Sequence, residues 1–236
     1  HVLFWTNVVV FIYQWFHPDF TYGYSAIPAE ITSGKDLVAP TILSVGQERV
    51  SIPQMPGPSP IYLTLLTSMF MHGGLAHLGG NLLYLWIFGD NVETRFGHLR
   101  FLCFYLISGL VASLAQIMVN PGSVVPILGA SGAISGVLGA YLVLFPRNKV
   151  NALIFFTVVS IPSIVVIGMW AVTQFVNGAG SISQAGHVGG VAYMAHIGGF
   201  AAGVFMGWIS RKQMKVEPDS LFYRRYARDT TVKRWW

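Results

Sequence analysis

Charged residues are scarce in this chain. Its 236 residues include 14 Lys and Arg and 9 Asp and Glu, and hydrophobic residues make up 53%. Charged residues therefore form 10% of the chain, against about 25% in ordinary soluble domains. So few charges cannot cover the surface of a soluble domain, and so many apolar residues exclude a disordered chain. The composition indicates a polytopic membrane protein.

Cysteine is nearly absent as well. The single cysteine, Cys103, excludes an intramolecular disulfide framework and a zinc site built from cysteines. The net charge of +5 comes from basic residues that lie between apolar segments and in the C-terminal tail. We therefore expect this basicity to orient the chain in the membrane and to contact anionic lipid, and we expect no nucleic-acid partner.

Three long segments contain no charged residue at all: 50–89, 101–146 and 151–210. A membrane-spanning helix needs about 20 apolar residues, so these segments have room for five spans, and the apolar N-terminus adds a sixth. Turn-forming residues at 120–123 and 177–181 divide the second and third segments. The sequence thus predicts an all-α bundle of six spans, at roughly 1–16, 61–88, 101–119, 124–145, 151–176 and 188–210.

A signal peptide is the alternative interpretation of residues 1–16. We favour a span, because no basic segment precedes these residues and Ser25–Ala29 is a poor cleavage site. Lys and Arg concentrate in 90–100, in 147–150 and after 210, so the positive-inside rule places both termini in the cytoplasm. Residues 1–210 would then form the membrane domain, with an outward-facing loop at 17–60, and 211–236 a basic cytoplasmic tail.

Several polar side chains fall inside the predicted spans, where such groups are expensive and are candidates for function. His77 and Asn81 are four residues apart and share a helix face. Ser131 lies in the fourth span between Gly129 and Gly132, which allow a backbone or a substrate to come close.

The sixth span places His196 beside a ridge of small residues, Gly199, Gly203 and Gly207. A similar ridge, Gly132 and Gly136, adjoins Ser131 in the fourth span. Ridges of this kind let membrane helices approach closely. If the two ridges pack together, His196 comes within reach of Ser131.

A serine with a histidine partner is the minimal pair for acyl transfer, because the histidine takes the hydroxyl proton and returns it to the leaving group. No Asp or Glu lies in the outer half of the spans, so the sequence allows a dyad and no carboxylate triad. His77, Asn81 and the backbone N–H of Ser131 are suitable donors for the oxyanion. The alternative is structural: interhelical hydrogen bonds and glycine packing without any chemistry.

The order and spacing of these residues resemble the rhomboid family of intramembrane serine proteases, in its prokaryotic six-helix form. The resemblance covers the chain from the first span to about residue 210. It is carried by His72-x4-His77-x3-Asn81, by Gly129-Ala130-Ser131-Gly132, by Ala195-His196-x2-Gly199 and, after the second span, by Glu93-x-Arg95-x-Gly97.

The resemblance implies a role for each matching residue. Ser131 would be the nucleophile and His196 the general base, with His77, Asn81 and the Ser131 backbone forming the oxyanion hole. His72, Gly129, Gly132 and Gly199 would support the site. Loop 17–60 would be the family's membrane-embedded first loop. The resemblance also implies transmembrane protein substrates, a multi-pass location in a prokaryotic plasma membrane, and no cofactor or metal; it leaves the oligomeric state open.

Two positions depart from the family's pattern. The family's Trp-Arg pair in the first loop has no counterpart, and Ser135 stands where some members place a tyrosine that stacks on the catalytic histidine. His187 partly repeats the surroundings of His196, and we favour His196 as the base. Two other functions stay open: an inactive relative that binds membrane segments, and a transporter with His72, His77, His187 and His196 as metal or ion ligands.

Overall fold

A computed structural model describes residues 2–45, 48–183 and 191–213. The described residues are mostly helical, at 69%. The all-α expectation needs correction, because two antiparallel β-hairpins occur among the described residues. The helices are α1 Val2–Phe16, α2 Pro18–Tyr24, α3 Pro28–Ser33, α4 Thr64–Thr67, α5 Leu75–Tyr84, α6 Asp90–Phe96, α7 His98–Val119, α8 Ser131–Leu144, α9 Ser163–Ser183 and α10 Tyr193–Gln213. The strands are β1 Thr41–Val45, β2 Glu48–Ile52, β3 Lys149–Ile154 and β4 Thr157–Pro162.

Two helices in the described part of the chain are long and apolar enough to cross a membrane by length and composition. They are His98–Val119, which is α7, and Ser163–Gly180, which is most of α9. α1, the segment Ile61–Phe70 and α8 are shorter apolar helices.

The predicted second span, 61–88, is wrong as one continuous helix. Short 3₁₀ turns, Ile61–Leu63 and Ser68–Phe70, flank α4, and residues 71–74 are non-helical before α5 begins. The extended backbone at His72 is paired by the side-chain amide of Gln14 on α1. The His72 N–H donates to Gln14 Oε1 (2.9 Å), and Gln14 Nε2 donates to the His72 carbonyl (3.3 Å). This pairing satisfies backbone polar groups that a continuous helix would otherwise satisfy.

The fourth predicted span, 124–145, begins too early, because α8 starts only at Ser131. The residues before it run extended against loop 17–60. Ala26 and Ile127 exchange backbone hydrogen bonds of 3.0 and 2.8 Å, and the Gly129 N–H donates to the Ser68 carbonyl at 2.9 Å. Backbone partners outside the segment thus replace the helical bonds. As a result, the first turn of α8, with its unpaired N–H groups, starts at Ser131.

The fifth predicted span, 151–176, is also displaced. Residues 149–162 form the β3–β4 hairpin, with Lys149 opposite Pro162, and α9 starts at Ser163. The turn expected at 177–181 is wrong, since α9 continues through it to Ser183. Gly178 allows a close approach there, because a Cβ at this position would meet Met194 and Ile197 of α10.

The last predicted span, 188–210, corresponds to α10, which begins at Tyr193 and extends to Gln213. Residues 184–190, which include His187, and most of the basic tail, residues 214–236, lie outside the described residues.

α8 and α10 pack backbone to backbone along the two glycine ridges. A Cβ on Gly199 would meet the carbonyl oxygen of Gly132, and one on Gly203 would meet the carbonyl oxygen of Gly136. Only residues without a side chain permit this approach, which places His196 over the start of α8.

The described parts of loop 17–60 are hydrogen-bonded to the segment that leads into α8. The Ala29 N–H donates to the Ser123 carbonyl (2.9 Å), and Gln54 Nε2 donates to the Val124 carbonyl (2.9 Å). Inside the loop, Glu30 is buried at 1% exposure and accepts a hydrogen bond from the Leu37 N–H at 2.8 Å. The loop thus holds the chain segment that leads into the first turn of α8.

Glu30 gives this loop a predicted dependence on pH. Burial, with a smaller contribution from nearby Asp36, raises the pKa of Glu30 to about 7. A raised folded-state pKa means that the folded loop prefers the protonated form. Its stabilising contribution is therefore complete below the ordinary Glu pKa and is lost as the pH rises through about 7.

We compare the melting temperature of the parent with that of Glu30→Gln. As the pH is raised from 5 to 8, the parent should lose stability relative to the variant. Asp19→Asn, which removes an exposed carboxylate of the same loop, is the matched control and should follow the parent at both pH values. A constant difference between the parent and Glu30→Gln across this range would contradict the assignment.

Candidate active site

Ser131 and His196 meet where α8 and α10 begin. His196 Nε2 lies 2.8 Å from Ser131 Oγ, a hydrogen-bond distance. Gln116 of α7 holds the first turn of α10, because its Oε1 accepts from the N–H groups of Met194 (3.1 Å) and Ala195 (3.3 Å). The start of α10 is therefore held by α7, and this contact positions His196 next to Ser131.

The other side of the His196 ring contacts α9. His196 Nδ1 lies 2.7 Å from Gln174 Oε1, and the ring of Trp170 is tilted against the imidazole with centroids 6.1 Å apart. Gln174 and Trp170 therefore contact the histidine in a site that lacks the tyrosine which some family members stack on it. Ser135 has a different partner, since its Oγ donates to the Ser131 carbonyl at 2.6 Å.

His77 lies against the turn that precedes the serine. Gly129 has φ +128°, a backbone conformation that favours glycine, and a Cβ there would come within 2.8 Å of His77 Nε2. The same Cβ would be 3.6 Å from Ser131 Oγ, so a side chain at position 129 would fill the space next to both the histidine and the serine. The Gly73 N–H donates to His77 Nδ1 at 3.4 Å, so in the neutral ring Nε2 carries the proton.

Asn81 follows His77 by one turn on α5. It is 8% exposed, and its side-chain nitrogen is buried without a hydrogen-bond partner among the described residues. An unpaired buried amide costs about 1–3 kcal/mol. A group of this kind is what an oxyanion donor requires, because its partner forms only during the reaction.

His72 lies behind His77 in the non-helical segment before α5. It is 2% exposed, and its ring packs edge-on against that of His77 with centroids 5.2 Å apart. Together with the Gln14 pairing of its backbone, this contact positions the start of α5.

A small cavity adjoins the serine. Its volume is about 20 Å³, and its lining includes Ser68, Ser113, Ser131 and Gly132. A cavity of this size holds about one water molecule.

Residues 2–45, 48–183 and 191–213 hold no group of three His, Cys, Asp or Glu side chains placed to bind a metal ion. His187, one of the residues considered as a ligand, lies outside these ranges. Both ring nitrogens of His196 are engaged, one by Ser131 and the other by Gln174.

Three glutamines at the site carried no motif in the sequence. Gln14 pairs the His72 backbone, Gln116 caps α10 and Gln174 contacts His196. Their position in the sequence could have identified them, because each is an amide within an apolar helix, where polar side chains are costly and therefore are candidates for function.

The architecture and the site define a class: a multi-pass helical membrane protein with a serine and a histidine in contact at the ends of two tightly packed helices. Residues 60–213, well over half of the chain, match the Rhomboid domain family. The chain belongs to the rhomboid family, and the resemblance in its motifs is thereby confirmed.

Its relatives include proteins named as proteases. The chain is 38% identical over 127 residues to rhomboid protease GluP of Bacillus subtilis (strain 168), a match over 54% of this chain and 24% of GluP. It is 34% identical over 157 residues to the mitochondrial rhomboid protein 1 of Saccharomyces cerevisiae, over 65% of this chain and 43% of that protein. The matches thus span less than half the length of these relatives.

Proposed function

We propose that this protein is an intramembrane serine endopeptidase that cleaves transmembrane segments of other membrane proteins near the outer interface. The main support for the proposal is the 2.8 Å distance between Ser131 Oγ and His196 Nε2. Membership of the rhomboid family, with relatives named as proteases, supports the same conclusion.

The proposed membrane domain, residues 1–210, crosses the bilayer six times. The spans are α1, the helical segment 75–89, α7, α8, α9 and α10, and the charged helix α6 lies on the cytoplasmic side. Loop 17–60 faces outward, and both termini, including the basic tail 211–236, are cytoplasmic. The distribution of Lys and Arg supports this orientation, and a plasma membrane of a prokaryote is the proposed location.

In the proposed first half-reaction, Ser131 Oγ attacks the carbonyl carbon of the scissile peptide bond while its proton moves to His196 Nε2. The carbonyl oxygen becomes an oxyanion, which accepts hydrogen bonds from the Ser131 N–H, His77 Nε2–H and the Asn81 side-chain amide. His196 then returns the proton to the leaving nitrogen. The C–N bond breaks, and the amine product departs from an acyl-serine ester.

In the second half-reaction, water attacks the ester carbon and gives a proton to His196 Nε2. The oxyanion collapses, and the C–O bond to Ser131 breaks. The proton passes back to Ser131 Oγ, and the carboxylic product is released. The cavity beside Ser131 can hold a water molecule at this point of the site. In this scheme His72, Gly129, Gly132 and Gly199 support the site without reacting.

The two other functions explain the geometry less well. A protein that only binds membrane segments has no use for a hydroxyl hydrogen-bonded to an imidazole, or for an unpaired amide on the neighbouring helix. An ion path that uses His196 needs its imidazole nitrogens free to bind, whereas both of them already have partners.

The purified protein, reconstituted with a single-span substrate protein, is expected to cut that substrate into two fragments. Intact-mass measurement should show that together they exceed the substrate by one water. The same experiment tests the oxyanion hole. Asn81→Ala should lower kcat by about 10²–10³-fold, because one donor contributes roughly 2.7–4 kcal/mol to the transition state.

Asn91→Ala is the matched control for that variant, because Asn91 is an exposed amide at the far end of the same helical segment. It should cleave at the parental rate. Equal rates for Asn81→Ala and the parent would remove Asn81 from the mechanism, and failure of the parent on several substrates would contradict the proposed function.

A further inference from the structure

Gln174 holds the His196 imidazole from the side opposite Ser131. Gln174 Oε1 and His196 Nδ1 are 2.7 Å apart, while His196 Nε2 contacts Ser131 Oγ. We propose that Gln174 is the positioning residue of this site: it accepts the Nδ1 proton and thereby holds the imidazole in the tautomer whose Nε2 can take the serine proton. This inference rests on the proposed function of the Ser131–His196 pair.

The orientation of the Gln174 amide follows from its other contacts. Its Nε2 lies 3.4 Å from the Trp170 carbonyl oxygen and 3.2 Å from Thr173 Oγ1. The Thr173 hydroxyl donates its own proton to the Trp170 carbonyl (2.6 Å), so its oxygen is available as an acceptor. A carbonyl oxygen can only accept. The NH₂ group must therefore face Trp170, and the oxygen must face His196.

That orientation determines where the imidazole proton lies. A neutral imidazole carries one proton, and an acceptor facing Nδ1 is satisfied only when the proton is on Nδ1. Nε2 is then a bare acceptor, and Ser131 Oγ–H donates to it. The contacts of Gln174 with Trp170 and Thr173 thus determine the donor and acceptor of each hydrogen bond from Gln174 through His196 to Ser131.

An amide suits this position better than a carboxylate. A charged carboxylate inside a membrane helix is expensive, and α9 carries no charged residue. An amide oxygen accepts the same hydrogen bond without a net charge, and an asparagine fills the third position of Cys-His-Asn proteases. Gln174 thereby supplies the orientation that a triad carboxylate provides elsewhere, although no Asp or Glu is present in the helix.

The tautomer can be measured without turnover. In the ¹⁵N-histidine-labelled protein, the His196 signals are identified by their loss in His196→Ala. We expect protonation at Nδ1 in the neutral ring of the parent, and loss of that preference in Gln174→Leu. Protonation at Nε2 in the parent would overturn the inference.

The kinetic consequence is separate. Gln174→Leu should lower kcat about 10²-fold with KM little changed, because a wrong tautomer in a carboxylate triad costs up to about 10⁴-fold. Gln174→Glu keeps the acceptor and adds a charge that favours the protonated imidazole. We expect it to retain activity while the acid limb of its pH profile moves about 1–3 pH units upward. His77, the other titratable group acting on His196, is unchanged in both variants.

Asn177→Leu, which removes an exposed amide from the same helix, is the matched control and should behave as the parent. A parent that cleaves, together with a Gln174→Leu variant of parental kcat and pH profile, would overturn the role of Gln174 and leave the protease function standing. A parent that cleaves nothing would contradict the function, and the tautomer of His196 would then decide the role of Gln174 alone. If Gln174→Leu fails to fold, Gln174→Glu and the parental tautomer decide it.

Discussion

Ser131→Ala is expected to abolish cleavage, lowering kcat by roughly 10⁴–10⁶-fold while the protein still folds and inserts in the membrane. In the proposed mechanism the hydroxyl oxygen of Ser131 forms the acyl bond, and the variant has no group that replaces it. Its removal takes away one hydrogen bond, to His196, so the free energy of unfolding should change by about 1 kcal/mol. The measurement is single-turnover cleavage of a single-span substrate, alongside thermal unfolding.

Ser135→Ala is the matched control. Ser135 lies one turn further along α8, is 1% exposed, and also makes one side-chain hydrogen bond. This variant should lose a similar amount of stability and should cleave within about tenfold of the parent. Cleavage that survives in Ser131→Ala would refute the nucleophile, whereas equal losses in both variants would indicate a purely structural effect.

Among glycine-to-alanine substitutions in the described helices, Gly203→Ala is expected to lower the stability of the protein most. Its Cβ would collide with the backbone of Gly136 on α8, and backbone cannot move aside as a flexible side chain can. We expect the free energy of unfolding to fall by about 3 kcal/mol, at the upper end of ordinary overpacking costs. Separation of α8 and α10 also moves His196 from Ser131, and a displacement of about 1 Å costs roughly 10²-fold in rate.

The control for this prediction is Gly168→Ala. Gly168 is also a glycine within an apolar helix, but a Cβ there would meet no atom within 4 Å. Alanine is the better helix former by about 1 kcal/mol, so Gly168→Ala should be as stable as the parent or more stable. Similar melting temperatures for the two variants would contradict the close packing of α8 on α10.

Hydropathy and charge predicted that the chain forms apolar helices, but they could not predict where those helices break. Residues 71–74 carry no charge, so the charge pattern does not mark the break, and the backbone of His72 is hydrogen-bonded by Gln14, which is distant in sequence. The β3–β4 hairpin was assigned to a span for a similar reason, since a run such as Thr157–Pro162 has the hydropathy of a membrane helix.

The site was more accessible to prediction than the fold around it. The glycine ridges beside Ser131 and His196 predicted a close helix pair, and the structure brings these two residues together along those ridges. Gln174 was missed, because a lone amide in α9 has no spacing relation to His196, and only the packing of α9 against α10 brings the two side chains together.

Whether Ser131 and His196 form a catalytic pair is tested by mass spectrometry of the protein after reaction with a serine-reactive phosphonate. We expect one adduct, on Ser131, and no adduct in His196→Ala treated in the same way, because the histidine must take the hydroxyl proton. An adduct on another serine, or a parent that does not react while it is folded, would contradict the claim that Ser131 and His196 form a catalytic pair.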